Sequence, residues 1–255
     1  MPSYKANAIV LKKTKLGETD LILTMLAEDG SQIRAVAKGA RKPGSTFSAR
    51  LEQFSAATLM LHKGKNLDTI TDVKSLAANE RCRRDLEHLS YGAVMGEFIE
   101  KTSFEGQENP ILFPLTIAAL DALGEAEEHQ LPFVVAAFLL KAIAYLGFKP
   151  SFDECTLCGE TRIGEDGVFA ISAGGWVCQA CVAFGELEPA GLVDPAMAAW
   201  VKALLGMRFV ELGEAFAEAS PELATLGEGL LEVCDRWTDV HLGLRLKSMR
   251  FLARI

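Results

Sequence analysis

The chain has 255 residues, of which 49% are hydrophobic and 24% charged, so it can bury a core and is not a disordered polymer. Its formal net charge of -8 argues against a chain that binds nucleic acid over its whole surface. Residues up to Lys74 nevertheless carry 12 basic and 7 acidic side chains, whereas the remainder carries 14 basic and 27 acidic ones. This asymmetry indicates a basic binding module on an acidic body.

The first 75 or so residues predict short β-strands. Turn residues at Glu28-Asp29-Gly30 separate the second strand from the third, which is typical of a hairpin. About five strands without a long helix suit a small closed barrel, and an OB-fold and an SH3-like barrel fit nearly equally well. The predicted strands are Ala6–Leu11, Leu21–Leu26, Gln32–Ala37, Ala57–Leu61 and Leu67–Val73.

After Asn79 the apolar period becomes helical. Helices are predicted from about Leu86, over Pro110–Leu123 and over Pro132–Leu146, the last apolar on most sides and therefore central. A further helix carries one apolar stripe, which spans only about three heptads and so favours core packing over a coiled-coil dimer. Its residues are Leu223, Leu226, Leu230, Val233, Trp237, Val240 and Leu244.

No transmembrane helix or signal peptide is expected. The longest apolar stretch, Phe133 to Leu140, is far shorter than the roughly 20 residues that cross a membrane. A cytoplasmic location follows, where paired cysteines indicate metal or redox chemistry rather than disulfides.

Four of the 6 cysteines form two CxxC pairs with 19 residues between them. Two such pairs complete a tetrahedral Zn²⁺ shell, and four thiolates leave no open position for a substrate, so the metal would be structural. A redox dithiol pair and a site that has lost its metal are the alternatives. Cys82 and Cys234 stand alone and are interpreted as buried thiols. The predicted zinc ligands are Cys155, Cys158, Cys178 and Cys181.

Basic residues follow the third predicted strand and enter a glycine-containing loop. Lysine and arginine neutralise phosphates, and glycine allows a close backbone approach, so this loop predicts DNA binding, with a solvated loop as the alternative. The region has only three aromatic residues, Tyr4, Phe47 and Phe54, so backbone charge should dominate over base stacking. The candidate residues are Arg34, Lys38, Arg41 and Lys42, with Lys12, Lys13, Lys15, Lys63 and Lys65 on other loops or strand ends.

A smaller basic cluster, Arg245, Lys247, Arg250 and Arg254, lies near the C-terminus. It is interpreted as favouring the helix dipole, with binding of an acidic, aromatic-ended peptide as the alternative.

Several segments together resemble the RecO family of bacterial recombination mediators and DNA repair proteins. The two CxxC pairs occupy the position of that family's zinc finger, and the ending Leu246-Lys247-Ser248 is similar to its C-terminal Leu-Lys-Ser. The resemblance is most extensive in the N-terminal 75 residues. The matching segments there are Ala8-Ile9-Val10-Leu11, Gly17-Glu18-Thr19-Asp20, Glu28-Asp29-Gly30, Ala37-Lys38-Gly39-Ala40-Arg41 and Leu51-Glu52-Gln53-Phe54.

The resemblance implies an α+β multidomain protein. A five-stranded OB-fold β-barrel is expected over residues 1–78 and a helical domain over 79–255, with a four-cysteine zinc-finger insert at 153–185. It further implies a cytoplasmic, nucleoid-associated protein that binds single- and double-stranded DNA and anneals strands without ATP. With RecR, such a protein would load RecA onto DNA coated by single-strand-binding protein (SSB), whose C-terminal tail is an expected partner.

Two other classes of function remain open. One is a zinc-ribbon adaptor whose partners are proteins only, with the basic face docking an acidic surface. The other is an enzyme, which is disfavoured because neither a paired acid and base nor an open metal site can be identified in the sequence.

Overall fold

The computed structural model describes residues 2–161, 167–184, 187 and 191–252. The chain divides into two compact units. Unit 1 runs to Glu125 and also contains the segment from Lys247, and unit 2 runs from Ala126 to Leu246. The predicted domain boundaries at residues 78, 153 and 185 stay a prediction.

Unit 1 begins with a closed five-stranded barrel. The strands are β1 (Ser3–Leu16), β2 (Asp20–Ala27), β3 (Gln32–Ala37), β4 (Ala56–His62) and β5 (Asp68–Ala77). Their order is β1-β2-β3-β5-β4, and β4 closes the barrel on β1. The β3–β5 pair is parallel and the other pairs are antiparallel, which is a Greek-key arrangement like that of the OB-fold. The predicted OB-fold-like barrel is therefore confirmed.

A β-bulge in β1 decides which way its lysines point. The register with β2 shifts between Val10 and Lys12, so Leu11 is an additional residue. An extra residue reverses the alternation of faces along a strand. Lys12 consequently lies opposite Thr24, and Thr24 opposite Arg34, in one row across the three strands. β1 is longer than predicted because its polar second half continues to pair with β2.

Alternate residues of the strands fill the barrel interior, as their period of two predicts. Leu23, Met25, Leu59 and Leu61 are all fully buried there. The predicted turn between β2 and β3 is tight against the rest of unit 1. At Gly30, where φ is 80°, an added Cβ would lie 1.8 Å from the Asn109 carbonyl oxygen, so glycine is required.

Eight α-helices lie within the described residues. Asp85 caps the N-terminus of α1, and its carboxylate accepts a hydrogen bond from the His88 backbone N–H at 2.8 Å. α1 packs on the barrel through Gly92, where an added Cβ would lie 2.8 Å from the Phe54 ring. The helices are α1 (Leu86–Thr102), α2 (Leu112–Glu125), α3 (Leu131–Ile143), α4 (Gln179–Phe184), α5 (Pro195–Gly206), α6 (Phe209–Ala215), α7 (Pro221–Leu242) and α8 (Lys247–Leu252).

α3 is the central helix of unit 2. It is followed by a π-helical turn, Ala144–Phe148, that contains Gly147 at a φ of 95°. The run Glu128–Phe148 is long and apolar enough to cross a membrane by length and composition, but 61% of its most apolar window is buried in the protein. A buried core helix meets the same criteria, so this run is weak evidence for a membrane span.

α7 carries the predicted apolar stripe and packs on α3. Leu230, Val233 and Trp237 are buried, in agreement with core packing. Val240 is exposed and Leu244 lies beyond the helix end, so the stripe ends earlier than the sequence pattern predicts.

A small sheet of order β7-β6-β8 occupies part of unit 2. Its strands are β6 (Gly167–Ala170), β7 (Gly175–Cys178) and β8 (Leu192–Val193). β6 and β7 pair as an antiparallel hairpin that leads into the second cysteine pair.

Candidate metal centre and nucleic-acid interface

The four paired cysteines lie together and could hold a metal ion. The Sγ atoms of Cys155, Cys158, Cys178 and Cys181 are all within 4.8 Å of one another. Thiolates about 2.3 Å from a tetrahedral Zn²⁺ would be about 3.8 Å apart. The Sγ atoms of Cys158 and Cys178 are 3.8 Å apart, so the cluster has the size and donor set that Zn²⁺ requires. We refer to residues 151–184, as far as they are described, as the metal module.

Local backbone bonds form the first cysteine pair. The N–H of Cys155 donates to the Glu160 carbonyl oxygen at 2.7 Å, and the N–H of Gly159 donates to the Cys155 carbonyl oxygen at 2.8 Å. The Thr156 N–H then donates to the Trp176 carbonyl oxygen at 3.0 Å, which fastens this turn to β7.

The second pair follows from the β6–β7 hairpin. Cys178 is the last residue of β7, and Cys181 lies in α4, which begins at the next residue. At Gly175, β7 passes close to the segment that precedes the first pair, where an added Cβ would lie 2.2 Å from the Ser151 carbonyl oxygen. A side chain at this position would therefore push the two halves of the metal module apart.

The electrostatics of the cluster favour a cation. Burial raises the pKa of Cys155, but backbone N–H groups of Cys178, Cys158 and Leu157 donate to its sulfur and lower the pKa to about 6. The neighbouring sulfurs, first that of Cys158, raise the pKa of Cys181 to about 12. The Cys155 thiolate therefore forms readily, whereas the Cys158 and Cys181 thiols resist ionisation. A bound cation would stabilise all four cysteines as thiolates.

The two remaining cysteines are buried thiols, as predicted. The Cys82 Sγ donates to the Leu120 carbonyl oxygen at 3.1 Å, and burial raises its pKa to about 11. Cys234 is fully buried in unit 2, which also raises its pKa.

Part of the predicted DNA-binding loop is tied to the turn between β1 and β2. The Arg41 guanidinium donates to the Glu18 carbonyl oxygen at 2.9 Å, and its backbone N–H donates to the Thr19 carbonyl oxygen at 2.8 Å. The Gly39 N–H donates to the Asp20 carboxylate at 2.8 Å, which, with the Thr19 hydroxyl, lowers the pKa of Asp20. Arg41 thus has a structural role in joining these segments.

Four other cations stand near the same end of β3. Lys15 lies opposite Leu21 in β2, which in turn lies opposite the last residue of β3, and Lys38 follows immediately. Arg34 is exposed on β3, and Lys42 is exposed in the loop. None of these four forms an ion pair with a residue that the structure describes. We call Lys15, Arg34, Lys38 and Lys42 the unpaired cations.

Three predicted DNA contacts are instead neutralised by carboxylates. Ion pairs join Lys12 to Glu100 at 2.7 Å and Lys13 to Glu52 at 2.6 Å. The third, Lys63, lies 3.5 Å from the Asp68 carboxylate. Lys65 is exposed in the loop between β4 and β5. The nine candidates therefore do not form one uniform basic face.

The three aromatic residues of this region are not exposed: Phe54 is buried, and Tyr4 and Phe47 are partly buried. The expectation that base stacking on the barrel is minor stays a prediction.

The sequence pattern missed a cleft of about 490 Å³ beside β1, α1 and α8. Lys12, Lys101 and Lys247 line it together with Glu97 and Glu100. Carboxylates pair with two of these lysines, since Lys101 lies 3.7 Å from Glu97.

Glu97 also explains the Leu-Lys-Ser ending. Its carboxylate accepts hydrogen bonds from the Ser248 hydroxyl at 2.6 Å, the Ser248 N–H at 2.8 Å and the Lys247 N–H at 3.0 Å. The motif therefore fastens α8 to α1. In the same C-terminal region Arg245 pairs with Asp239, and Arg254 lies outside the described residues.

The fold and its sites define a multidomain protein built from an OB-like barrel and a helical part with a four-cysteine cluster. The chain belongs to the RecO family. The family model for the recombination protein O N terminal matches residues 1–79, and that for the recombination protein O C terminal matches residues 83–250. The RecO family is a family of DNA repair mediators and not an established class of enzymes.

Full-length relatives carry the same family name. The DNA repair protein RecO of Nocardioides sp. strain JS614 is 35% identical over 254 residues, which cover 98% of this chain and 99% of that protein. That of Thermobifida fusca strain YX is 35% identical over the whole of both chains. The RecO protein of Desulfitobacterium hafniense strain DCB-2 is 35% identical over 201 residues, 79% of this chain and 70% of that protein.

Proposed function

We propose that this chain is a non-enzymatic recombination mediator that binds single- and double-stranded DNA through the barrel and anneals complementary strands without ATP. In cells it would act in the cytoplasm at the nucleoid, with RecR, to load RecA onto DNA coated by SSB, whose C-terminal tail it would also bind. Membership of the RecO family supports this proposal. The observation that carries its DNA-binding part is the set of unpaired cations on an OB-like barrel.

The location of these cations suits a DNA backbone. OB-folds bind oligonucleotides on the face of β2 and β3, between the β1–β2 and β4–β5 loops. Arg34 stands on that face, Lys38 and Lys42 stand beside the β1–β2 turn, and Lys65 stands in the β4–β5 loop. Cations that are not already paired release counterions from DNA when they bind it, so they would contribute most to affinity.

Annealing requires only that repulsion between two phosphate backbones be screened and the strands be held together. Bound lysine and arginine side chains supply that screening without a nucleotide cofactor. Contacts between these side chains and phosphates do not depend on base sequence. They can therefore form with single strands and with duplexes, which explains binding of both.

Zn²⁺ is the proposed resident ion of the four cysteines, because the donor set is all-thiolate and the sulfur spacing fits a tetrahedron. Its role would be structural, holding together a module with a small core.

A charge-reversal experiment tests the DNA interface. Lys38→Glu with Lys42→Glu should weaken binding of a labelled single strand about 100-fold at moderate salt, because two phosphate contacts become repulsive. Lys42 is preferred to Arg41 as the second site because the Arg41 guanidinium also bonds the β1–β2 turn. The measurement is fluorescence anisotropy over a range of salt concentrations, followed by ATP-free annealing in the same buffer.

The matched control is Lys5→Glu with Lys74→Glu, the same change of charge on exposed barrel residues. Lys5 in β1 and Lys74 in β5 both lie opposite residues of β4, so they are placed away from the β2–β3 face. Affinity within about threefold of the unsubstituted chain is expected for the control. Equal losses of affinity in both double variants would contradict a localised interface. If the unsubstituted chain does not bind DNA either, the adaptor that binds only proteins is favoured.

A further inference from the structure

The loop between β4 and β5 carries two lysines in different surroundings. The Lys63 Nζ lies 3.5 Å from an Asp68 carboxylate oxygen, 3.9 Å from a Glu105 carboxylate oxygen and 5.1 Å from the centre of the Tyr4 ring. Lys65 is exposed and forms no ion pair with any residue in the described ranges. One lysine is thus held by the protein, and the other is available to a ligand.

Asp68 is the centre of the contacts that hold Lys63. It is the first residue of β5 and is 8% exposed. The Tyr4 hydroxyl donates to one of its carboxylate oxygens, and the Gly64 backbone N–H donates to the other at 3.1 Å. Burial raises the pKa of Asp68, but the bonds from Tyr4 and Gly64 and the charge of Lys63 outweigh it and lower the pKa. The carboxylate therefore stays ionised and keeps accepting all these contacts.

The backbone of the loop is also restrained on both sides. The Lys63 N–H donates to the Pro2 carbonyl oxygen at 3.1 Å, which joins the loop to the start of β1. At Gly64 an added Cβ would lie 1.8 Å from the Leu67 carbonyl oxygen, so the turn closes tightly and accepts only glycine. Lys65 follows directly after this turn.

We propose that the Tyr4–Asp68 pair is a positioning lock that presets the β4–β5 loop, so that Lys65 meets a DNA phosphate while Lys63 serves as the internal cation of the lock. This inference rests on the proposed DNA-binding function and deepens it, because it assigns different roles to two neighbouring lysines. A preset loop loses less conformational freedom when it binds, so the lock would act on affinity through Lys65. Tyr4 and Asp68 are positioning residues that do not themselves touch DNA.

A double-mutant cycle on the full chain separates this role from a merely structural one. Tyr4→Phe removes the hydroxyl that bonds Asp68 and keeps the ring. Alone, it should weaken binding of a labelled single strand about three- to tenfold, and Lys65→Ala should do the same and reduce the slope of log affinity against log salt by about 1. Combined with Lys65→Ala, Tyr4→Phe should add less than about twofold, because the group that it positions is gone.

Three further variants, Tyr145→Phe, Gly64→Ala and Lys63→Ala, complete the experiment. Tyr145→Phe, at a tyrosine 52% exposed in unit 2, is the control for the loss of a hydroxyl and should leave affinity unchanged. Gly64→Ala disturbs the loop directly and should repeat the result of Tyr4→Phe in both backgrounds, which keeps the test decisive if Tyr4→Phe lowers stability. Circular dichroism verifies that each variant retains its fold.

The outcomes distinguish the lock from the function on which it rests. If the unsubstituted chain binds DNA but Tyr4→Phe has no effect, or costs the same with and without Lys65, the lock is overturned and DNA binding stands. If Lys63→Ala reduces the salt slope by as much as Lys65→Ala, the division of roles is overturned. If the unsubstituted chain does not bind DNA at low salt, the proposed function fails and the inference fails with it.

Discussion

The barrel and the metal module are both built on β-hairpins, yet they have different sources of stability. The barrel encloses an apolar interior to which every strand contributes, including Leu23, Met25 and Leu59. The metal module has a small buried cluster in which two of the five buried members, Cys155 and Cys178, are candidate metal ligands.

This difference shows how the length of a β-segment decides what must hold it together. Closure of five strands buries side chains on every strand and leaves no edge, so hydrophobic burial is sufficient. Two strands of four residues bury too little apolar surface to compensate for the entropy of ordering them, and a metal ion held by the four cysteines would supply the missing stability. The largest predicted effect therefore concerns the metal.

Removal of the metal should unfold the metal module and leave the barrel folded. Binding of a structural Zn²⁺ contributes on the order of 10 kcal/mol, which exceeds what the small core can replace. The change is Cys178→Ser or treatment with a chelator. The measurements are metal content, tryptophan fluorescence and hydrogen exchange. All 3 tryptophans, Trp176, Trp200 and Trp237, lie in unit 2, so fluorescence reports that unit.

Cys82→Ala is the control for this prediction, because Cys82 is a buried thiol outside the cluster. Its metal content should equal that of the unsubstituted chain. Unchanged exchange protection of β6 and β7 after complete metal removal would show that the module folds by burial alone and would remove the contrast with the barrel.

A cavity in the barrel is the reciprocal test. Leu23→Ala should lower the free energy of unfolding of the barrel by about 3 kcal/mol, because a fully buried leucine loses its contacts and leaves a void. Hydrogen exchange of the β1–β5 amides measures the change. Metal content should remain at its original value, and a parallel loss of metal would show that the two regions do not have independent sources of stability.

The smallest predicted effect concerns the attachment of α8 to α1. Burial raises the pKa of Glu97, but the Ser248 hydroxyl and the backbone N–H groups of Ser248 and Lys247 outweigh it and lower the pKa. Glu97→Gln should therefore cost about 1 kcal/mol at pH 7, a value reduced by partial solvent exposure. Because the folded pKa is depressed, this contribution is complete above the ordinary value of 4.5 and is lost as the pH falls through the lowered pKa.

Amide exchange of α8 at pH 7 and at about pH 3 checks the sign of this dependence. The difference between Glu97→Gln and the unsubstituted chain should be smaller at the lower pH. Glu100→Gln is the control on the same helix, since its ion pair with Lys12 is solvent-exposed and should contribute less than about 0.5 kcal/mol. A difference of the same size at both pH values would contradict the role of the Glu97 charge.

Much of the fold could be predicted from local patterns. The five strands of the barrel follow from short apolar or alternating runs bounded by turn residues, and α1, α2, α3 and α7 follow from helical periodicity. Strand ends were less predictable: the polar half of β1 has no apolar alternation, and it is a strand only because β2 pairs with it. The convergence of the four cysteines follows from CxxC spacing, because two intervening residues fix the geometry of each pair.

The DNA interface shows the limit of sequence reasoning. All nine cations were equivalent as charges in a sequence, but the structure separates paired from unpaired ones. Lys12 meets Glu100, 88 residues away, and Lys13 meets Glu52, 39 residues away. Ion pairs between residues so far apart in the chain cannot be predicted from the local periodicity of the sequence.

The sequence by itself determined the barrel strands, the cysteine pairs and the basic character of the first 75 residues, because each depends on the chemistry and spacing of near neighbours. Only the tertiary structure decided which lysines remain available and how the β4–β5 loop is held. The Tyr4–Asp68 bond joins residues 64 positions apart, and it exists because β4 pairs with both β1 and β5 in the closed barrel.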